Sequence, residues 1–401
     1  MSSQPTSPPR NEKSNRNTKA SLWTLLSVVV LDLIGFGVVI PILPFYAKSY
    51  GASATVLGVL LTSYAAMQFL FAPVWGRLSD RIGRRPVMLF TIAGTGVALL
   101  GLGLAPSLAW LFAARILGGA FGANISVATA YIADLAHPDE RTKWMGMIGA
   151  AFGVGFVLGP AIGGILAPLG YHVPMLVAAG LALVNLIYAA VRLEEPPQRT
   201  EITERDTPDL ALLKRSTVRR LCLAYFVFTF AVSQLETVFA FFMLDRFGYD
   251  AHQVAYVLVL MAIVMVLIQG GGIRPLAKRF GERRLLLAGG VLLCGSFAAV
   301  PWAQPVAILL IPLLVASVGR AIAHPAMLSL VSGAADESSR GAVMGTFQSS
   351  ASLARVAGPV AAGALYDISG GAPFLLGSVL MAIVVGIGLG IEKRSAALPS
   401  S

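Results

Sequence analysis

The sequence predicts an all-α integral membrane protein with twelve spanning helices arranged as two six-helix bundles. Three observations support this fold class: an apolar composition, the recurrence of long apolar runs, and an internal repeat. Hydrophobic residues make up 56% of the 401 residues and charged residues only 12%, and the mean hydropathy is +0.76. A soluble domain carries about 25% charged residues, so this composition excludes an ordinary globular protein.

Twelve apolar runs are each long enough to cross a bilayer core of about 30 Å. Lipid offers the backbone no hydrogen-bond partners, so these runs are predicted to be helices. A membrane β-barrel would instead show short segments of alternating polarity. The predicted spans are 21–47, 53–75, 87–105, 107–133, 142–167, 172–192, 219–244, 251–273, 285–303, 305–331, 341–366 and 371–391.

The polar segments outside these runs divide the chain. Residues 1–20 are rich in Pro and Ser and predict a disordered cytoplasmic tail. Residues 194–217 form the only long polar segment between spans and predict a cytoplasmic linker. These boundaries give an N-terminal bundle at 21–193, a C-terminal bundle at 218–392 and a short cytoplasmic tail at 393–401.

The basic residues predict the orientation of the chain. Of the 30 Lys and Arg residues, 25 fall in the tails and the loops of one face, whereas the opposite face has only Lys48 and Arg246. Loops rich in Lys and Arg stay in the cytoplasm, so both termini are predicted to be cytoplasmic. The net charge of +10 follows from this topology, and we expect no nucleic-acid partner.

The second half of the chain repeats the first. The segment DERTKWMGMIGAAFGVGFVLGPAIGG is echoed by SSRGAVMGTFQSSASLARVAGPVAAG, in which Gly159-Pro160 matches Gly358-Pro359. SDRIGRRP is similarly echoed by AKRFGERR. An even number of helices in each half keeps the halves parallel. Parallel repeats of this kind occur in transporters whose substrate site lies between the halves.

Three motifs give the sequence a resemblance to the major facilitator superfamily: GRLSDRIGRRP at 76–86, LFAARILGGAFGA at 111–123 and GVGFVLGPAIGG at 153–164. Within that family it most resembles the drug/proton antiporters. LDLIGFGVVIPILP at 31–44 and RTKWMG at 141–146 are similar to the tetracycline/proton antiporters. The resemblance covers essentially all of the chain between the two tails.

The resemblance implies a monomeric, proton-coupled antiporter that exports a small amphipathic compound across the bacterial inner membrane by alternating access. The proton gradient is the expected energy source, with no cofactor and no metal. No phosphate-binding loop, Ser-His-Asp constellation or metal-spaced His and Cys cluster occurs in the sequence, so we expect no enzyme activity. Exporters of organic anions, lipids or metabolites, an importer, and a membrane receptor stay open as alternatives.

Proton coupling is predicted to involve Asp32, Arg115 and Glu236. Asp32 and Glu236 are the acids that lie well inside predicted helices, where a carboxylate costs about 2.5–3.5 kcal/mol. Intramembrane acids often mark proton paths, although static pairing with a buried arginine is the alternative. The resemblance implies that Asp32 carries the proton, with Arg115 as its partner or neighbour. Glu236 is a candidate for substrate binding or a second proton site.

The substrate cavity is predicted to lie between the halves. Three intramembrane arginines against two intramembrane acids give a net charge of +1, which favours an anionic or zwitterionic substrate. Structural pairing of Arg355 with Glu236 is an equally weighted alternative. The intramembrane histidine and aspartate of the C-terminal half of tetracycline exporters are absent. The predicted cavity residues are Tyr64, Gln68, Asn124, Ser233, Glu236, Arg320, His324, Gln348, Ser352 and Arg355.

Two groups of residues are predicted to control gating. In the first, Gly83 permits a tight turn, and the resemblance implies that Asp80, Arg84 and Asp134 form a charge network that latches one conformation. The second is a stripe of glycines that packs helices closely, and the resemblance implies that it also seals the path. The predicted gating residues are Gly76, Asp80, Arg81, Gly83, Arg84, Arg85, Asp134, Gly155, Gly159, Pro160, Gly163 and Gly164.

Overall fold

A computed structural model describes residues 12–196, 216–335 and 339–391. Three predicted segments lie outside these residues: all of the C-terminal tail, most of the central linker and the first part of the N-terminal tail. The prediction of a disordered tail is wrong for residues 12–20, because the first helix already begins at Glu12. A run of polar but helix-compatible residues extends the first span on the side of the N-terminus.

The described residues are all-α. The helices are α1 (Glu12–Ser49), α2 (Ala54–Ile82), α3 (Arg84–Gly103), α4 (Leu108–Phe121), α5 (Asn124–Leu135), α6 (Pro138–Leu166), α7 (His172–Arg192), α8 (Ser216–Phe247), α9 (Ala251–Leu267), α10 (Ile273–Phe280), α11 (Glu282–Ala299), α12 (Val306–Gly333), α13 (Arg340–Ile368) and α14 (Ala372–Leu389). Helices α4 and α5 together form the fourth span. Helices α9 and α10, joined through a π-helical turn at Ile268–Gly272, form the eighth.

Eleven helical segments in the described part of the chain are long and apolar enough to cross a membrane. The remaining predicted span, α13, has 29 residues but is more polar, since it contains Gln348, Arg355 and several serines. It packs against α2 of the first half and α8 of the second. The predicted continuous helices at 107–133 and 251–273 are wrong in detail. The first is broken, and the second has a π-helical turn and continues to Phe280.

The sequence repeat is also a structural repeat. Gly83 has φ +104° and ψ 157° between α2 and α3, and Gly281 has φ +78° and ψ 154° between α10 and α11. Only glycine adopts such angles readily, so the predicted tight turn is confirmed. Arg85 Nη2 donates to Ala190 O at 2.6 Å, and Arg283 Nε donates to the equivalent Gly388 O at 3.2 Å. In each bundle the third helix is therefore anchored to the end of the sixth.

The glycine stripe of α6 lies directly against α1. A Cβ atom built on Gly159 would lie 2.5 Å from Gly37 Cα, and one on Gly155 would lie 2.6 Å from Leu33 Cβ. Gly163 faces the Val38 carbonyl oxygen in the same way, at 2.7 Å. Backbones approach this closely only where side chains are absent. The predicted close packing is confirmed, and the structure adds that its partner is the helix that carries Asp32.

Replacing Gly159 with Val is expected to destabilise the protein strongly, because its side chain would overlap the Gly37 backbone. Overpacking of this kind costs about 1–3 kcal/mol or more. Gly149→Val is the matched control on the same helix, since nothing lies within 4 Å of a Cβ built on Gly149. Thermal unfolding in detergent measures the difference. Equal midpoints for the two variants would show that the α1–α6 contact tolerates side chains.

The two halves contact each other at one end of the molecule, which we call the closed face (residues 46–62, 164, 245–256 and 356–368). Asp367 Oδ2 accepts hydrogen bonds from Thr55 N at 2.9 Å and Thr55 Oγ1 at 2.6 Å, and Asp367 Oδ1 accepts from Ala54 N at 3.1 Å. Lys48 forms an ion pair with Asp245, and the His252 ring nitrogen lies 2.6 Å from Gly164 O. The halves are thus held together at this end.

An open cavity of about 560 Å³ separates the halves toward the opposite end, which we call the gating face because it contains the turn at Gly83. Its walls come from α2, α5 and α6 of the first half and from α13 of the second. The cavity is lined by Ala72, Gly76, Ser126, Thr129, Ala130, Met145, Gly341 and Met344. The described conformation is therefore closed at one face and open at the other.

Candidate functional site

The fourth span breaks where it meets Asp32. Helix α4 ends at Phe121, α5 begins at Asn124, and the residues between them leave the helical path. Gln68 Nε2 donates to the freed Gly122 carbonyl at 2.6 Å, which satisfies a backbone group inside the membrane. The break places Asn124 against α1, and Asn124 Nδ2 donates to Asp32 Oδ1 at 3.0 Å. Two residues of the predicted substrate cavity, Gln68 and Asn124, thus lie at this break, and Asn124 contacts Asp32.

Arg115 packs on an aromatic ring and makes no ion pair with Asp32 within the described residues. Its guanidinium carbon lies 4.0 Å from the centre of the Tyr64 ring. The glycines of α4 make room for that ring, because a Cβ on Gly122 would lie 2.5 Å from Tyr64 Oη and one on Gly118 would lie 3.6 Å from the ring. Of the two predicted relations between Arg115 and Asp32, partner and neighbour, the structure supports the neighbour, since both line one small cavity.

The second half contains the other charged cluster. Arg320 Nη1 pairs with Glu236 Oε1, so the predicted alternative that Arg355 pairs with Glu236 is wrong. The geometry decides this, because Arg320 on α12 and Glu236 on α8 face each other across the bundle. Arg355 is exposed and has no ion-pair partner among the described residues.

Tyr225, which was not predicted from the sequence, organises this cluster. Its hydroxyl lies 3.0 Å from His324 Nε2, and its ring stacks on Phe347 with 4.0 Å between ring centres. Tyr225 lies three helical turns before Glu236 on α8, so helical spacing from Glu236 was a signal that could have found it. This contact holds His324 in the second bundle.

The remaining predicted cavity residues have local roles in the described structure. Ser233 is buried where α8 meets α13, and a Cβ on Gly358 would lie 2.9 Å from Ser233 Cβ. Ser352 Oγ donates to Gln348 O at 3.1 Å within α13, and the Gln348 side chain is exposed. Helix α13 thus presents Gln348, Ser352 and Arg355 in successive turns.

The predicted charge network is present at the gating face. Arg84 Nη1 lies 2.5 Å from Asp80 Oδ1, and Arg84 Nε donates to Asp134 Oδ2 at 2.8 Å. Ser79 Oγ also accepts from Arg84, at 2.7 Å. The Arg84 side chain is only 12% exposed, so these partners compensate for the loss of water around its charge. Arg81 is exposed on the same turn, whereas Gly76 lines the open cavity.

Glu195, which lies just after α7, is a second residue that the sequence analysis missed. Its carboxylate accepts from the backbone nitrogens of Arg84 at 2.5 Å and Arg85 at 2.9 Å, and so caps the N-terminus of α3. Capping carboxylates stabilise a helix N-terminus through its unpaired N–H groups. The acidic pair Glu194-Glu195 at the end of an apolar span was the available signal. The backbone groups that Glu195 caps lie about 110 residues earlier in the chain, so the cap was not predictable from the local sequence.

Comparisons with known proteins agree with this architecture. A family model described as the Major Facilitator Superfamily matches residues 25–275 and 272–399. The class D tetracycline resistance protein of Salmonella ordonez is 33% identical, covering 92% of this chain and 96% of the relative. Multidrug resistance protein 2 of Bacillus subtilis (strain 168) is 30% identical, covering 94% and 96%.

Structural comparison gives the same assignment. The crystal structure of the human organic anion transporter MFSD10 matches with a TM-score of 0.70 and 29% identity, covering 92% of this chain and 99% of that one. Both parts of the family model together span nearly the whole sequence, and the relatives match along nearly their full lengths. The chain therefore belongs to the Major Facilitator Superfamily and is a multi-pass membrane transporter.

Proposed function

We propose that the protein is a proton-coupled antiporter that exports a small amphipathic compound, with the proton gradient as its energy source and the monomer as its working unit. The observation that carries this proposal is the position of Asp32. It lies within a membrane-spanning helix, accepts a hydrogen bond from Asn124 at the helix break, and shares a cavity with Arg115. Acids in this setting are typical of proton relays. The names of the tetracycline and multidrug resistance relatives support efflux.

Alternating access is the proposed transport mechanism. The closed face holds the halves together through Asp367 and Asp245, while the gating face is open. The positively charged loops at the gating face support a cytoplasmic position for it. The described conformation would then load substrate from the cytoplasm. Rocking of the halves would open the closed face and close the cavity around Gly76.

Replacing Asp80 with Asn is expected to nearly abolish transport while the amount of protein in the membrane stays normal. The substitution removes one of the two carboxylates that hold Arg84, and so alters the equilibrium between conformations. Uptake into everted vesicles measures transport, and immunoblotting of the same membranes measures the amount of protein. Full activity in this variant would contradict a latch at Asp80.

Everted vesicles that hold a proton gradient test the proposed function directly. A pH-sensitive dye reports the gradient while amphipathic cations, tetracyclines and organic anions are added one at a time. A compound that collapses the gradient only when the protein is present is an exported substrate. If substrate exchanges across the membrane but no compound affects the gradient, then proton coupling is absent and the proposal is wrong.

A second candidate function is the export of organic anions, and Arg355 is the observation that favours it. Arg320 is neutralised by Glu236, whereas Arg355 is exposed without an ion-pair partner among the described residues. One positive charge in the second half is therefore available to a carboxylate, sulfonate or phosphate group. The solved relative named as an organic anion transporter supports this class of substrate.

Replacing Arg355 with Gln is expected to raise the KM for an anionic substrate by about 10- to 100-fold, because a hydrogen bond to a charged group contributes about 1.5–3 kcal/mol. The KM for an uncharged or cationic substrate stays near that of the wild type. Arg355→Lys keeps the charge but not the forked geometry, so it should have an intermediate effect. Equal changes for anions and cations would exclude Arg355 as the anion site.

A further inference from the structure

A small cavity lies inside the first bundle, apart from the large cavity between the halves. It has a volume of about 30 Å³ and its walls come from α1, α2, α3 and α4. A water molecule needs about 10–15 Å³ of such space, so the cavity has room for at most about two. Asp32, Tyr64, Thr95 and Arg115 supply its polar wall, and the rest is apolar.

Two residues that line this cavity each have a buried polar atom without a hydrogen-bond partner among the described residues: Arg115 Nε and Thr95 Oγ1. Arg115 is only 6% exposed. A buried polar atom without a partner costs about 1–3 kcal/mol, which is why such atoms are rare in native proteins. Two of them lining one cavity next to a carboxylate indicate a shared partner.

Thr95 differs from the threonine one turn before it. Thr91 Oγ1 donates to the Val87 and Met88 carbonyls of its own helix, each at 3.0 Å, which is the usual solution for a buried threonine in a membrane helix. Thr95 makes no such bond in the described structure, although both residues lie on α3. Its hydroxyl therefore keeps its hydrogen-bonding capacity for the cavity.

We propose that the cavity is a binding site for one ordered water molecule that links Thr95, Arg115 and Asp32. The water accepts a hydrogen bond from Arg115 Nε and donates one to the Asp32 carboxylate. Its third hydrogen bond joins it to Thr95 Oγ1, which can donate or accept. Three partners are typical of a buried water. Arg115 and Asp32, which make no ion pair in the described structure, are thereby coupled through the water, and Thr95 is a positioning residue for it.

The functional part of this inference rests on the proposed proton coupling, whereas the water site itself does not. If Asp32 carries the proton, the water is the route by which the charge of Arg115 acts on it. Thr95→Val keeps the shape of the side chain and removes only the hydroxyl, Thr95→Ser restores the hydroxyl, and Thr91→Val is the matched control on the same helix.

Thermal unfolding in detergent tests the water site without any transport assay. We expect Thr95→Val to lower the unfolding midpoint by about 2 °C, because the water loses a partner, and Thr95→Ser to recover most of that loss. A dry cavity predicts the opposite, since Thr95→Val would then remove an unpaired buried hydroxyl. An unchanged or raised midpoint in Thr95→Val therefore overturns the proposal.

The pH profile of proton-driven transport tests the positioning role. We expect Thr95→Val to displace the pH of half-maximal transport by about half a unit, with recovery in Thr95→Ser and no displacement in Thr91→Val. A uniform loss at every pH would mean that Thr95 acts on folding alone, and would overturn the role. Absence of proton-driven transport in the wild type would refute the proposed function, and the thermal comparison would still decide the water site.

Discussion

Replacing Asp32 with Asn is expected to nearly abolish proton-driven transport, because the variant lacks the intramembrane carboxylate proposed to carry the proton. The amide side chain cannot bind and release a proton in the physiological pH range, so movement of substrate no longer depends on movement of protons. The loss should appear in everted vesicles as a proton gradient that substrate no longer collapses.

The geometry makes Asp32→Asn an informative variant. The introduced amide still offers an oxygen to Asn124 Nδ2, which donates to Asp32 Oδ1 at 3.0 Å in the wild type, so the contact between α1 and α5 is kept. Removing a charge from the membrane also lowers the insertion cost. We therefore expect normal amounts of folded protein, so a loss of transport would result from the loss of the titratable carboxylate.

Substrate counterflow and Asp32→Glu complete this experiment. Counterflow exchanges substrate without net proton movement, so it should persist in Asp32→Asn. Asp32→Glu keeps a titratable group and should retain part of the coupling. If Asp32→Asn still collapses the gradient as the wild type does, Asp32 is a structural residue and the proton site lies elsewhere.

Replacing Asp367 with Ala is expected to shift the protein toward opening of the closed face. The Asp367 carboxylate belongs to α13 and accepts three hydrogen bonds from Ala54 and Thr55 at the start of α2, so it joins the two halves. Asp367 is exposed, and solvent screening reduces the value of these bonds. A loss of about 1–2 kcal/mol changes the ratio of the two conformations by about 5- to 30-fold.

Asp250→Ala is the matched control for this variant. Asp250 is also an exposed residue at the closed face that caps a helix, because its Oδ1 accepts from Gln253 N at 2.9 Å. The helix that it caps, α9, belongs to its own half. Its loss therefore destabilises α9 by about 0.5–2 kcal/mol without releasing one half from the other.

Spin-label distances between the halves measure the outcome. Leu104 and Trp302 are exposed residues at this end of the first and second halves. Each is replaced with cysteine and spin-labelled in a protein from which Cys222 and Cys294 have been removed. The population with the longer distance should grow in Asp367→Ala and stay constant in Asp250→Ala. Equal distance distributions in both variants would show that Asp367 does not hold the closed face.

Features that depend on local chemistry and on the membrane were predictable from the amino-acid sequence. Spans are recognisable because a bilayer core requires about 20 apolar residues whose backbone bonds internally. The turn at Gly83 was predictable because positive φ favours glycine, and the repeat at Gly281 has the same geometry. The network of Asp80, Arg84 and Asp134 was expected from the family resemblance, and the structure contains it.

Contacts between groups that are distant in sequence depend on how the helices pack in three dimensions. Glu236 had two candidate arginines on different helices, and the packing of α8 against α12 selected Arg320. The break in the fourth span was not predictable, because no proline marks it and its stability depends on Gln68 from α2. The same break brings Asn124 within hydrogen-bond distance of Asp32. Helical periodicity fixes the face on which a side chain lies, but the partner depends on the packing of neighbouring helices, which the sequence of one helix does not contain.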